Sequence, residues 1–87
     1  MSRKLDELLS TYAYDARQKN QLRMADEKGL DLDMIKNPLY DWEQMREIAL
    51  AMEYGLNPSP LCDPTIPSES MENIRIHLFE NQGVFEN

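Results

Sequence analysis

Eighty-seven residues, 41% hydrophobic and 29% charged, are enough for one small domain, because a chain this short buries only about 60–65% of its unfolded surface and cannot support two cores. Sixteen acidic residues against nine basic ones leave a formal charge of −7, which repels phosphate backbones and anionic lipid and so argues against direct nucleic-acid or membrane-surface binding. A single cysteine, Cys62, cannot close an intramolecular disulfide, and a single histidine, His77, cannot build a multi-histidine metal cage.

The chain repeats itself at an offset of 26 residues, so its elements are read unit by unit. Residues 1–14 form a partial unit in which Leu8-Leu9 stand over Met34-Ile35 and Tyr14 over Tyr40. They carry no apolar run of membrane-spanning length and no cleavable-signal pattern, which predicts a cytoplasmic protein. Unit 15–40 opens on Asp15-x-x-Gln18, a capping-box pattern in which the Asp oxygen takes an orphan amide and the Gln reaches back. Its helix is predicted to stop at Gly29, where a left-handed cap is needed, and to return through Met34-Ile35 to Asn37-Pro38.

Unit 41–66 repeats every signal. Asp41-x-x-Gln44 starts the helix, Gly55 stops it, and Asp63-Pro64 ends the return. Met45, Ile48, Ala49, Met52 and Leu56 make one apolar face, while Leu50 and Tyr54 predict a second buried stripe. Unit 67–87 aligns Met71 with Met45, Ile74 with Ile48 and Leu78 with Met52, and Asn81 takes the glycine position as the next best left-handed cap. The expected fold is all-α: a single domain over 1–87, built as a small helical repeat bundle of about three helix-plus-return-loop units.

The stretch Asp41 to Ser59, DWEQMREIALAMEYGLNPS, resembles the tandem WEQM-x-EIR-x-AL-x-x-GL units of uncharacterised bacterial proteins, which often occur in several copies and in association with mobile elements. The resemblance implies an interaction repeat with no catalytic residue or cofactor of its own.

Charge divides unevenly, with 7 acids and 7 bases in residues 1–40 but 9 acids and only Arg46 and Arg75 in residues 41–87. Glu43, Glu47, Glu69 and Glu72 fall on predicted helices, where they serve solubility or form an acidic surface that docks a basic protein; Glu43 and Glu47 are also an i, i+4 like-charge pair. Trp42 is expected to pack on a neighbouring return loop or to anchor an interface. In the last unit Ile76, Phe79 and Phe85 have no further copy to cover them, so either Gly83-Val84-Phe85 folds back as a cap or a partner, including a second copy of the chain, covers the surface.

Reaction chemistry is sparse. His77 has no arranged nucleophile, Cys62 reads as a passive thiol, and Asp31-x-Asp33 lacks the glycine and distal Glu of a calcium loop. The expected function is therefore a non-enzymatic protein–protein interaction module, with no metal and no cofactor. The alternative is an acidic inhibitor, a phage- or plasmid-encoded anti-defence protein imitating nucleic acid at a basic site of its target.

Overall fold

The Ser2 hydroxyl accepts a hydrogen bond from the Leu5 amide at 3.1 Å and thereby starts α1 (Arg3–Thr11). The computed structural model describes residues 2–85, with side chains as far as Gln82. Three more helices follow, α2 (Ala16–Glu27), α3 (Trp42–Glu53) and α4 (Ser68–Phe85), with short 3-10 turns at Leu32–Met34 and Ser59–Leu61 in the return segments. The protein is all-α, and no strand occurs among the described residues.

The partial unit 1–14 departs from its alignment with a return segment, because most of it is helix. No Gly or Pro interrupts residues 2–14, and Leu5, Leu8 and Leu9 share one face. Helix α1 runs antiparallel to α2, since its cap residue Ser2 also donates from Oγ to Asp26 Oδ1, near the far end of α2, at 2.6 Å.

Both capping boxes close as their spacing requires. Asp15 Oδ1 accepts from the Gln18 amide at 2.8 Å and Gln18 Oε1 from the Asp15 amide at 2.8 Å; the Asp41–Gln44 pair makes the same bonds at 2.8 and 2.9 Å. Each glutamine then spends its Nε2 on the end of the following return segment. Gln18 donates to the carbonyls of Pro38 at 3.1 Å and Tyr40 at 2.6 Å, and Gln44 to those of Pro64 at 2.9 Å and Ile66 at 2.7 Å. One side chain thus caps its own helix and fixes the entry to the next, which lays α2, α3 and α4 side by side with their N-termini together. Pro67 and Ser70 stand at the corresponding places of α4, so the clamp is not repeated there.

The two glycines also behave alike. Gly29 and Gly55 adopt φ of +72° and +75°, and the bonds Leu30 N to Ala25 O (3.0 Å) and Leu56 N to Ala51 O (2.9 Å) close the helix ends. A Cβ on Gly55 would meet nothing within 4 Å, so any substitution penalty is purely one of backbone conformation. Gly55→Val is expected to lower the unfolding free energy by about 1–2 kcal/mol, and Gly55→Asn by less; equal midpoints in urea for both variants and the intact chain would contradict the cap. Asn81 does not take this conformation. It lies inside α4, and the residue after it is Gln82 where Leu30 and Leu56 supply the apolar contact that accompanies such a cap.

Each helix packs chiefly on its neighbours in sequence, giving a body of 45 × 25 × 16 Å. Leu5, Leu22, Ile35, Met45, Ile48, Leu61 and Met71 are fully buried along its length. Helix α3 is buried on two sides, but not through the expected stripe. Leu50 is half-buried and Tyr54 exposed, and the second side consists of Gln44, Glu47 and Ala51, which face the clamp and α4.

Tyr14 and Tyr40, the residues preceding the two caps, are buried, and the Tyr14 hydroxyl donates to the Lys36 carbonyl. Burial, followed by the neighbouring Tyr12, pushes the Tyr14 phenol up to about 12. Burial, followed by the adjacent Cys62, does the same for Tyr40, also to about 12. Below the ordinary value of 10.0 both states hold these protons. Above it the unfolded chain ionises first, so stability is expected to fall progressively between about pH 10 and 12. A melting-temperature series in which Tyr14→Phe/Tyr40→Phe shows an equally steep alkaline loss would contradict this.

Candidate functional site

Helix α4 presents two unlike sides. Met71 is fully buried and Ile74 and Leu78 pack on the core, whereas Glu69, Glu72, Ile76 and Phe79 fall within about 80° of the opposite side. All four are exposed, Ile76 by 42% and Phe79 by 55%, and exposed Glu80 extends the stripe. The helix continues through Gly83 to Phe85, so that segment does not turn back over α4. The side chain of Phe85 lies outside the described residues.

Tyr54, the residue that ends α3, missed as a surface residue in the sequence, widens this face. Its ring stands 5.6 Å from that of Phe79 at a 55° tilt, and the Arg75 guanidinium lies 5.8 Å from the Tyr54 centroid. Tyr54, Arg75, Ile76 and Phe79 line a cleft of about 190 Å³. Four of the expected partner-binding residues are therefore gathered on one helix face, bordered by the ring of Tyr54.

Glu47 requires a correction. It is 2% exposed and cannot belong to an acidic docking surface; its Oε1 accepts from Arg75 Nε at 2.7 Å, with Arg46 Nη2 3.8 Å from its other oxygen. A carboxylate this deep requires a counter-charge, and Arg75, 28 residues on, supplies it across the α3–α4 seam. This pairing also relieves the expected repulsion between Glu43 and Glu47. Glu43 is exposed but lies on α3 and so is not part of the α4 stripe.

Trp42 also differs from its expected place. It packs beside α2 instead of a return loop, with the guanidiniums of Arg17 and Arg46 at 5.6 and 5.4 Å from its ring.

The remaining chemistry-bearing residues are engaged locally. His77 is exposed with Nε2 3.1 Å from Asn81 Nδ2. Burial pushes the Cys62 thiol up, and its Sγ lies 3.3 Å from the Pro58 carbonyl oxygen. Asp33 pairs with Lys4 at 2.7 Å and Lys36 at 3.2 Å, which hold its carboxyl below the usual range. Among the described residues no three His, Cys, Asp or Glu side chains converge as metal ligands, and no described helix is long and apolar enough to cross a membrane. No protein-family model, curated protein or solved structure matches the chain.

Proposed function

We propose that the protein is a non-enzymatic interaction module of the cytoplasm that docks a basic, partly apolar surface of a partner protein on the outer face of α4. The observation that carries this reading is the interleaving of Glu69, Glu72 and Glu80 with exposed Ile76 and Phe79 on a single helix face. Apolar side chains supply buried area, and the carboxylates select partners of opposite charge and speed their encounter. A second copy of the chain is the poorer occupant. Two α4 faces would set carboxylate against carboxylate, and the nearest guanidinium, Arg75, is already held by Glu47.

The excess negative charge of residues 41–87 also suits the second reading, an acidic phage- or plasmid-encoded inhibitor that occupies a cationic nucleic-acid channel. Salt separates the two. Capture from host lysate by the immobilised chain is compared at about 50 and about 500 mM salt, where the Debye length shrinks to a few Å. An apolar-anchored partner persists in high salt, whereas a target bound as a nucleic-acid mimic is released. In both cases Ile76→Ser/Phe79→Ser and Glu69→Lys/Glu72→Lys are expected to lose the same captured protein by about tenfold while retaining the intact chain's melting temperature. Undiminished capture by both variants would refute the α4 face as the site.

A further inference from the structure

A second surface of opposite chemistry lies between α2 and α3. Ala16, Arg17, Asn20, Gln21 and Arg23 of α2, together with Trp42, line an open groove of about 610 Å³. In a chain of charge −7, Lys4, Lys28, Lys36 and Arg75 are paired with acids, whereas among the described residues Arg17 and Arg23, like Arg3 and Lys19, have no carboxylate within ion-pair distance. Arg46, stacked near Trp42, has only Glu47 at 3.8 Å, and that residue's shorter bond goes to Arg75. Two guanidiniums, Arg17 and Arg46, therefore flank the indole, and Arg23 lines the same groove.

Gln21 is the independent observation. It is only 9% exposed, yet among the described residues its amide makes no hydrogen bond, and no side-chain nitrogen or oxygen is sealed away without a partner. Its polar end is therefore not sealed in the core, and its side chain lines both this groove and the smaller cleft beside Met24 and Ala49. The repeat explains the vacancy: one unit on, Glu47 takes the place of Gln21 and is met by Arg75, whereas Ala49 occupies Arg75's place opposite Gln21. The α3–α4 seam is internally satisfied, and the α2–α3 seam keeps a polar group for something else. Its basic character is also particular to it, since Glu43 and Ala49 stand where Arg17 and Arg23 do.

We propose that this groove binds an acidic peptide segment of a partner protein. Guanidinium forks match carboxylates in a bidentate manner, stacking on Trp42 orients them while leaving their N–H edges free, and the Gln21 amide offers both a donor and an acceptor to a peptide backbone. From Ala16 to Arg23 the helix rises roughly 10 Å, the reach of about three extended residues, so the motif is short. A nucleic-acid strand fits less well. Its charge recurs at every nucleotide, whereas the cationic stretch is short and lies on a chain that is already strongly negative. This site is separate from the α4 face and opposite in sign, so the two readings stand or fall separately.

Trp42 is the sole tryptophan, and its fluorescence, together with calorimetry, reports occupancy directly. The intact chain is titrated with a capped synthetic peptide of glutamate and leucine, with its lysine counterpart, with a thymidine oligonucleotide and with inorganic phosphate. Saturable binding of the glutamate peptide alone is expected, weakened about tenfold or more by Arg17→Glu, by Arg23→Glu and, to a smaller extent, by Gln21→Leu, and unchanged by Ile76→Ser/Phe79→Ser. The arginines are exposed, and unfolding midpoints verify that each variant is folded. Absence of saturation, equal binding by the folded arginine variants, or binding of the oligonucleotide, the lysine peptide or phosphate as tight as that of the glutamate peptide would each overturn the proposal.

Discussion

Arg75→Ala is expected to lower the unfolding free energy by about 3 kcal/mol, a large share of the roughly 4–13 kcal/mol typical for a domain of this length. The loss comes from the residue left behind. Glu47 is 2% exposed, and its 2.7 Å bond to Arg75 Nε is the shorter of its two ionic contacts. Removing the guanidinium leaves a carboxylate that must stay buried without a close partner or pull water into the α3–α4 seam. Arg46, 3.8 Å away, recovers part of the interaction, which places the effect at the lower end of the range for broken buried pairs. The pair itself contributes less than this figure. Glu47→Met/Arg75→Leu, which removes both charges and retains volume, is expected to cost less than Arg75→Ala alone. Urea unfolding of the three chains decides the matter: a loss below about 1 kcal/mol for Arg75→Ala would mean that the pair behaves as an exposed one.

Gln44→Leu and Gln44→Glu are both expected to destabilise by about 3 kcal/mol, although only the first abolishes the capping box. Gln44 is 5% exposed and makes four bonds, two with Asp41 and two with the carbonyls of Pro64 and Ile66. Leucine forfeits the acceptor for the Asp41 amide and leaves two half-buried carbonyls without a donor, at about 1 kcal/mol for each lost bond. Glutamate preserves the cap, since its oxygen accepts as well as the amide's does, but sets a carboxylate oxygen against two carbonyl oxygens. A Gln44→Glu chain with an unaltered urea midpoint would show that the box alone matters and that the clamp on the return segment contributes nothing. Gln18→Glu tests the same geometry one unit earlier, against the carbonyls of Pro38 and Tyr40.

The starts and stops of α2 and α3 were legible in the sequence because they are decided within a few residues. An Asp that needs a Gln three places on, a glycine at each of the two positive φ among the described residues, and a proline that removes an amide act through neighbours the chain supplies locally. Helix α1 was not read from the sequence, although Ser2 as a cap and the Leu5, Leu8, Leu9 stripe are local signals of the same kind; the repeat register places residues 1–14 with a return segment. Asn81 shows the limit of such alignment, since a residue that tolerates the left-handed cap does not impose it when Gln82 brings no apolar contact.

The candidate sites divide along the same line. Glu69, Glu72, Ile76 and Phe79 share a face because helical periodicity puts them there, and that much the sequence determined by itself. Whether Glu47 faced water or a guanidinium depended on a partner 28 residues distant, and the same register that filled its side of α3 left Gln21 opposite Ala49. Burial and pairing are properties of two packed surfaces, and neither can be read from one strip of sequence until the other is in place. Local hydrogen bonds set where each helix begins; only the packing of α2, α3 and α4 decided which charges became structure and which remained available to a partner.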